Sequence, residues 1–144
     1  MIALGCDSAG FPLMKVVKEY LKNKGLEYKD FGVYEEGPSD YPVYAAEVAR
    51  SILNGESEKG ILICGSGIGI SIAANRFEGI RCALCHDVFS AKSTRDHNNS
   101  NIIAMGGWVV GRGLAIEILD TWLNTPFSND ERHVRRINLI DEQS

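Results

Sequence analysis

The sequence predicts an α/β fold, a Rossmann-like three-layer α/β/α sandwich with a five-stranded parallel sheet, formed as a single domain over residues 1–144. Short apolar strand patterns alternate with helical patterns along the chain, which is typical of parallel βαβ units covered on both faces. A glycine-rich loop at 65–69 joins one strand to a helix. In such folds ligands bind beyond the carboxyl ends of the strands, so we expect the functional site there.

The first half of the chain is predicted to contain three strands and two helices. Apolar side chains recur at helical spacing over 11–24, which indicates an amphipathic helix, and Gly25 is suited to end it. A long loop over 32–42 follows the second strand. The strands are expected at 2–6, 27–31 and 60–63, and the second helix at 43–53.

The second half is predicted to alternate in the same way. The glycine loop begins a helix, and the chain ends in a polar, arginine-containing helix. The strands are expected at 80–85 and 101–105, and the other helices at 88–96, 114–123 and about 130–141.

Composition and charge argue against several classes of protein. The formal net charge of −4 is unlike that of a general nucleic-acid binder. Residues 1–5 lack the basic region and apolar core of a signal peptide, and no apolar stretch reaches the length of a membrane span. We therefore expect a cytoplasmic protein that binds neither nucleic acid nor membrane, with its cysteines reduced.

Cys82 and Cys85 have the spacing of a metal-binding or redox pair, but they lie inside a predicted strand. Alternation along a strand points the two thiols to opposite faces, and a zinc site would need a second pair of ligands. We therefore expect both cysteines in the core and predict no metal site.

The glycine loop differs from the common nucleotide-binding motifs. It has no lysine, which a P-loop requires, and Ile70 stands where a dinucleotide-binding loop needs glycine or alanine. Its backbone N–H groups lie at a helix start, where an anion is stabilised. Cys64 precedes this helix, where a thiolate is favoured and can act as a base or nucleophile. The alternative is a structural turn with an inert, buried Cys64, and the residues alone leave both open.

Several polar residues are expected close to this thiol, because the carboxyl ends of parallel strands meet at one edge. Asp7 follows the first strand, Ser66 lies in the glycine loop, and Tyr41 precedes a helix on the same rim. His97 and Asn98 follow a helix and are expected to reach the site from a loop. On residue type alone, Asp7 is also suited to cap the first helix, and His97 to satisfy carbonyls at a helix end.

Arg132 and Arg136 lie four residues apart in the last predicted helix. They share one face and can grip a phosphate together. The alternative is a solvated helix that favours cations in any case, and residue type alone favours this second interpretation.

Six segments, in order over nearly the whole chain, resemble the type B ribose-5-phosphate isomerases and the related galactose-6-phosphate isomerase subunits. The segment after the third strand is the most specific, because it extends the Cys-Gly-Ser-Gly-x-Gly pattern into an Ala-rich helix. The matching segments are 5–10, 40–42, 63–75, 79–81, 95–98 and 132–133.

The resemblance implies a reaction and a role for each matching residue. The family interconverts an aldose phosphate and a ketose phosphate through an enediolate, without metal or cofactor. Cys64 would be the base that moves a proton between C2 and C1, and Ser66 would help to move protons among the substrate oxygens. Asp7 and His97 would open the furanose ring. The residues implied to bind the substrate are Ser8, Tyr41, Gly65, Gly67, Ile68, Gly69, Asn98, Trp108, Arg132 and Arg136, with N–H groups from Gly65 to Ile70 holding the enediolate.

The resemblance also implies a homodimer with two shared sites, and it leaves open whether dimers pair into tetramers. The C-terminal helix would pack on the partner, so that Arg132 and Arg136 bind the phosphate in the neighbouring subunit's site. No membrane or nucleic-acid partner is implied.

Three residues depart from the family pattern. Ser8 stands where the family usually has a phosphate-binding histidine, Trp108 where it usually has an arginine, and Ser66 where threonine is usual. Trp108 is suited to stack on a sugar, to fill space or to pack at a subunit interface, and Arg112 is a candidate to replace the lost charge.

Ribose 5-phosphate, in the pentose phosphate pathway, is the leading substrate. The alternatives are a tetrose or hexose phosphate, or a non-catalytic partner subunit that binds sugar phosphate.

Overall fold

The computed structural model describes residues 1–35 and 37–143, and it confirms the predicted α/β fold around a five-stranded parallel sheet. The strands are β1 Ile2–Cys6, β2 Tyr28–Asp30, β3 Lys59–Cys64, β4 Cys82–Leu84 and β5 Ile102–Gly106. The helices are α1 Phe11–Asn23, α2 Tyr41–Leu53, α3 Ile68–Ala74, α4 Val88–Asn98, α5 Arg112–Asn124 and α6 Glu131–Glu142. The strand order is β2-β1-β3-β5-β4, and each pair is parallel.

The helices cover both faces of the sheet, because successive strand residues point to opposite sides. On one face α1, α4 and α5 bury a core against side chains such as Leu4 and Ile103. On the other face α2 and α3 pack against Leu62 and Ala104. None of the helices among the described residues has both the length and the apolar character that a membrane crossing needs.

The cysteines of β4 and its end lie where strand alternation predicts. Cys85 is buried in the first core, and Cys82 packs against the second. Burial raises the pKa of Cys6 and of Cys85 to about 12, so both thiols stay protonated at neutral pH. These cysteines therefore serve as core side chains.

A crevice opens where β1 and β3 lie side by side. The chain leaves β1 into α1 on one face and β3 into α3 on the other, which is the arrangement at which α/β folds bind ligands. The register pairs Cys6 with Ile63, and Cys64 with Gly106, so β1, β3 and β5 end at one level. We call this edge the carboxyl rim, and the edge where the strands begin the amino rim.

The boundaries of the strands and helices agree with the sequence prediction to within two residues. Helix α2 is the instructive difference, because it begins before its proline rather than after it. The helix begins at Tyr41 rather than at 43, with Pro42 in its first turn. The fixed φ of proline suits this position, and its missing N–H would have no intrahelical partner there. Tyr41 is thereby placed on the first turn of a helix rather than in the loop before it.

Candidate active site

The glycine loop at the end of β3 encloses the Cys64 thiol. Cys64 is only 4 % exposed, and its Sγ accepts a hydrogen bond from the Gly67 N–H at 3.2 Å. Gly67 has φ 77°, and a Cβ there would lie 2.7 Å from the carbonyl carbon of Met105. Because both the backbone angle and the lack of space exclude a side chain, the loop geometry that directs this N–H to the sulfur requires glycine.

The end of β5 forms the floor beneath this loop. The N–H of Gly107 donates to Cys64 O at 2.8 Å, and the N–H of Trp108 donates to Gly65 O at 3.0 Å. A Cβ on Gly106 would lie 2.7 Å from Ser66 O. The position of the thiol therefore depends directly on where residues 106–108 lie.

Two aromatic rings flank the loop. Tyr41 lies over Gly69, where a Cβ would come within 2.6 Å of the ring, and Trp108 lies over Gly65 with the same spacing. Trp108 is 79 % exposed, so its ring covers the loop on one side and faces outward on the other. The structure thus brings both aromatics that were predicted to bind substrate to the glycine loop that follows Cys64.

The first turn of α3 supplies the N–H cradle, although two of its groups are already used. Gly67 donates to the sulfur, and the Ile68 N–H donates to the Ser66 hydroxyl at 3.1 Å. Helix geometry leaves the first N–H groups without intrahelical acceptors, so Gly69 and Ile70 provide the N–H groups suited to hold an anion. Two N–H groups of the predicted cradle from Gly65 to Ile70, those of Gly67 and Ile68, are therefore already bonded within the loop.

Asp7 and Ser8 lie on the carboxyl rim beside β3. The Asp7 N–H donates to Ile63 O at 3.3 Å, and Asp7 Oδ1 accepts from the Gly10 N–H at 3.0 Å. The carboxylate therefore closes the turn before α1, whose N-cap is Gly10 without a side-chain cap, so Asp7 does not cap this helix. Asp7 lies next to β3, the strand that ends in the thiol. The Ser8 N–H donates to Ser39 Oγ at 2.8 Å, which ties the long loop before α2 to this rim.

His97 and Asn98 lie at the opposite edge of the sheet. They form the last turn of α4, so the prediction that they reach the site from a loop is wrong. α4 returns from the end of β4 to the start of β5, and Arg81 Nε, just before β4, donates to Asn98 O at 3.0 Å. The five residues of β5 rise about 3.3 Å each, so His97 is separated from Cys64 by roughly the full length of a strand.

A second cluster of polar residues surrounds His97 on the amino rim. Its ring stacks on the His133 ring of α6, with centroids 4.3 Å apart and an interplanar angle of 17°. Arg132 Nη2 lies 3.4 Å from His133 Nε2. Burial lowers the pKa of His133, and the charges of His97, Arg132 and Arg136 lower it further. The structure therefore joins the predicted arginines to His97 but not to Cys64.

Arg112, the candidate replacement for a phosphate-binding charge, does not point to the glycine loop. It begins α5 after the carboxyl rim, and its Nη2 lies 4.0 Å from Glu19 Oε2 of α1. Among residues 1–35 and 37–143, no group of three or more His, Cys, Asp or Glu side chains is arranged to hold a metal ion.

One further residue of the carboxyl rim, His86, has no role predicted from the sequence. His86 follows β4, and its Nε2 accepts a hydrogen bond from the Gly106 N–H at 3.0 Å. The available signal was its position, since a polar residue directly after a strand of a parallel sheet lies on the rim that holds the site.

Comparison with known proteins shows the family to which this chain belongs. The sequence model of the family described as Ribose/Galactose Isomerase matches residues 2–140. The chain is 45 % identical over 139 residues to ribose-5-phosphate isomerase B of Escherichia coli strain K12, covering 96 % of this chain and 93 % of that one. It is 43 % identical over 127 residues to D-erythrulose-4-phosphate isomerase of Pectobacterium atrosepticum, covering 88 % and 84 %.

The crystal structure of a ribose 5-phosphate isomerase from Thermotoga maritima superposes with a TM-score of 0.96, at 51 % sequence identity, over 98 % of this chain and 97 % of that one. Sequence and fold therefore indicate the same family. The chain belongs to the ribose/galactose isomerase family, and it is a sugar isomerase of the aldose–ketose class.

Proposed function

We propose that this chain interconverts an aldose phosphate and its ketose phosphate through an enediolate, with Cys64 as the base. The observation that carries this is the thiol at the end of β3, whose Sγ accepts the Gly67 N–H at 3.2 Å. A donated N–H stabilises negative charge on the atom that accepts it, and a thiolate is the form of cysteine that takes up a proton. The base would move one proton between C2 and C1 of the open-chain sugar.

The same loop supplies donors for the charge that develops on the substrate oxygens. The N–H groups of Gly69 and Ile70 lie in the first turn of α3, where helix geometry leaves them without acceptors. Donors that are fixed before the reaction stabilise an oxyanion without reorganisation. The Ser66 hydroxyl is suited to pass protons between the two oxygens, and Asp7 is suited to assist ring opening from the end of β1.

The placement of the cations supports a site shared between two chains. Arg132, Arg136 and His97 lie on the amino rim with α6, whereas Cys64 lies on the carboxyl rim. A phosphate dianion is bound most strongly by charge-assisted hydrogen bonds from guanidinium groups. We infer a homodimer in which the amino rim of each chain completes the carboxyl rim of the other, so that His97 opens the sugar ring at the partner's thiol.

Helix α6 has a surface suited to this association. It exposes Leu139 and Ile140, which are 47 % and 52 % accessible, and it contacts α4 of its own chain through the histidine stack. Contiguous exposed apolar side chains can mark a surface that packs on a partner, and these two residues are adjacent in sequence. We infer that α6 packs on the partner subunit, as expected from the sequence, and that dimerisation places the arginines.

Ribose 5-phosphate is the leading substrate, because the relatives at 45 % and 51 % identity carry that name. A tetrose phosphate is the second candidate, because a relative at 43 % identity is named for D-erythrulose 4-phosphate. Ser8 and Trp108 lie on the rim that would meet the substrate. A non-catalytic partner subunit has less support, since such a protein has no need of a thiol held by an N–H in this way.

The proposed location is the cytoplasm. All four cysteines are free, and free thiols are typical of proteins in a reducing compartment.

The test is a substrate panel with a matched pair of cysteine variants. Purified protein is incubated with ribose 5-phosphate, D-erythrulose 4-phosphate and allose 6-phosphate, and aldose–ketose conversion is followed by NMR. Cys64→Ala should lower kcat by about 10²–10⁴-fold while substrate binding persists, and Cys82→Ala, a thiol distant from the loop, should retain activity. Near wild-type turnover by Cys64→Ala would rule out the cysteine base. Tight binding of one sugar phosphate without conversion of any would favour the non-catalytic subunit.

A further inference from the structure

We propose that His86 is a positioning residue, whose imidazole fixes the end of β5 on which the glycine loop and Cys64 rest. Only its kinetic consequence rests on the proposed isomerase reaction. The His86 side chain is partly buried, and its Nε2 accepts a hydrogen bond from the Gly106 N–H at 3.0 Å.

This bond replaces a backbone hydrogen bond between β4 and β5 that the sheet lacks at Gly106. The N–H groups of alternate β5 residues face β4, as shown by Ile102, whose N–H donates to Arg81 O at 3.3 Å. The last backbone bond between these strands runs from Cys85 N to Ala104 O at 3.0 Å. Gly106 is the next residue whose N–H faces β4, which has already ended. The imidazole of His86 therefore supplies an acceptor where no strand carbonyl is available.

The backbone that carries the ring is fixed at the start of α4. Asp87, the next residue, caps this helix: its Oδ1 accepts the Ser90 N–H at 2.6 Å, and its Oδ2 accepts the Ser90 hydroxyl at 2.9 Å. This cap fixes the backbone beside His86. Because Gly106 donates, Nε2 carries no proton, and the neutral ring has its proton on Nδ1. The imidazole thus connects helix α4 to the floor of the site.

A displacement of Gly106 would pass directly to the thiol. A Cβ on this glycine would lie 2.7 Å from Ser66 O, so backbone of the two segments is in contact. The neighbouring Gly107 N–H donates to Cys64 O at 2.8 Å, and the thiol accepts from Gly67 on the same loop. Rates of proton transfer fall steeply when a base is misplaced by even an ångström, so loss of the His86 bond should lower kcat.

Two substitutions of matched length separate the hydrogen bond from the volume of the ring. His86→Gln places an amide oxygen near the position of Nε2, whereas His86→Met has the same length and only a weak acceptor. We expect His86→Met to lower kcat roughly 10–100-fold with KM changed less than about threefold, and His86→Gln to stay within about threefold of wild type. Equal kcat values in the two variants, whether high or low, would overturn the proposal. If the methionine variant does not fold, His86→Asn, whose oxygen falls short of Gly106, should show the same loss.

A second measurement needs no substrate. In isotope-labelled wild-type protein, an NMR scalar coupling should connect the Gly106 nitrogen to His86 Nε2 across the hydrogen bond. The Gly67 amide and the Cys64 Cβ resonances should shift in His86→Met and remain in place in His86→Gln. A missing coupling, or unshifted resonances in His86→Met, would overturn the positioning role. If the coupling and shifts are found but no sugar phosphate is converted, the proposed isomerase function fails and the positioning role stands.

Discussion

The two rims of the sheet carry complementary chemistry. The carboxyl rim holds a thiol, a hydroxyl, a carboxylate and backbone N–H groups, arranged around a loop with almost no free space. The amino rim holds guanidinium groups and a pair of stacked imidazoles, of which His97 is about half exposed and His133 is buried. The first set is suited to move protons and the second to bind an anion. Groups suited to successive steps of one reaction can therefore lie on the same chain and still be separated by the full length of a strand.

The sharpest test of this comparison mixes two inactive variants. Cys64→Ala inactivates the carboxyl rim, and His97→Ala with Arg132→Ala inactivates the amino rim, each by several orders of magnitude under the proposed mechanism. When the two chains are refolded together, a mixed dimer contains one site with both rims intact. We expect about a quarter of wild-type activity, because about half of the dimers are mixed and each has one working site.

The controls are the two variants refolded separately and a mixture of wild type with Cys64→Ala. No recovery in the mixture, with mixed dimers shown by native mass spectrometry, would mean that each site is built within one chain.

A smaller effect on activity is expected when only a phosphate-binding arginine is removed. Arg132→Ala should raise KM for a sugar phosphate by about 10–100-fold, because a charge-assisted contact contributes roughly 1.5–3 kcal/mol. Arg112 is an exposed arginine whose Nη2 lies 4.0 Å from Glu19 Oε2 on α1, away from the proposed phosphate site, so Arg112→Ala is the control. Steady-state kinetics on the sugar phosphate and on its unphosphorylated sugar check this. An equal rise in KM for both sugars would contradict a phosphate-binding role.

The rims also differ in how much space surrounds their left-handed glycines. Gly67 on the carboxyl rim and Gly55, after α2, have similar φ values of 77° and 81°. A Cβ meets backbone at 2.7 Å on Gly67 and nothing within 4 Å on Gly55. We expect Gly55→Ala to cost about 1 kcal/mol of unfolding free energy through backbone strain alone, and Gly67→Ala about 2–4 kcal/mol through strain plus a clash. Urea unfolding of both variants measures the difference, and equal losses would show that the loop can yield.

The smallest expected effect is a pH dependence of stability on the amino rim. The pKa of His133 is lowered in the folded chain, so below its ordinary value near 6.5 the unfolded chain binds a proton that the folded chain resists. Stability should therefore fall as pH drops from about 7 through the lowered pKa. His133→Gln should reduce this dependence when urea midpoints are compared at pH 7.5 and at pH 5.5. An unchanged pH dependence of stability in the variant would show that titratable groups other than His133 cause it.

The element order and most of the site could be predicted from the sequence. Apolar runs and helical spacing fixed the strands and helices, because burial on both faces demands continuous apolar strands. The glycines of the loop indicated the position of the site in the sequence. They also form it, since Gly67 adopts a backbone angle that other residues avoid. Asp7, Ser66 and Tyr41 were expected on the rim with the thiol, and the structure brings all three there. Trp108, for which stacking on a sugar, filling space and packing at a subunit interface were left open, lies over Gly65 of the same loop.

The location of His97 could not be read from its motif alone. Sequence order places it just before β5, and β5 ends beside Cys64. Proximity in sequence suggested proximity in space, but a crossover helix carries the chain back to the amino rim before the next strand begins. The hydrogen bond from Gly106 to His86 was equally hidden, because it depends on where β4 stops.

By itself the sequence determined the fold class, the order of the strands and helices, and the presence of a cysteine, Cys64, at the end of β3. These follow from local rules, namely periodicity, glycine conformations and the sharing of one edge by parallel strands. The tertiary structure alone decided which groups meet: it placed Tyr41 and Trp108 over the glycine loop and joined His97 to α6. The physical reason is that the direction of each crossover and the length of each edge strand are set by packing across the whole sheet.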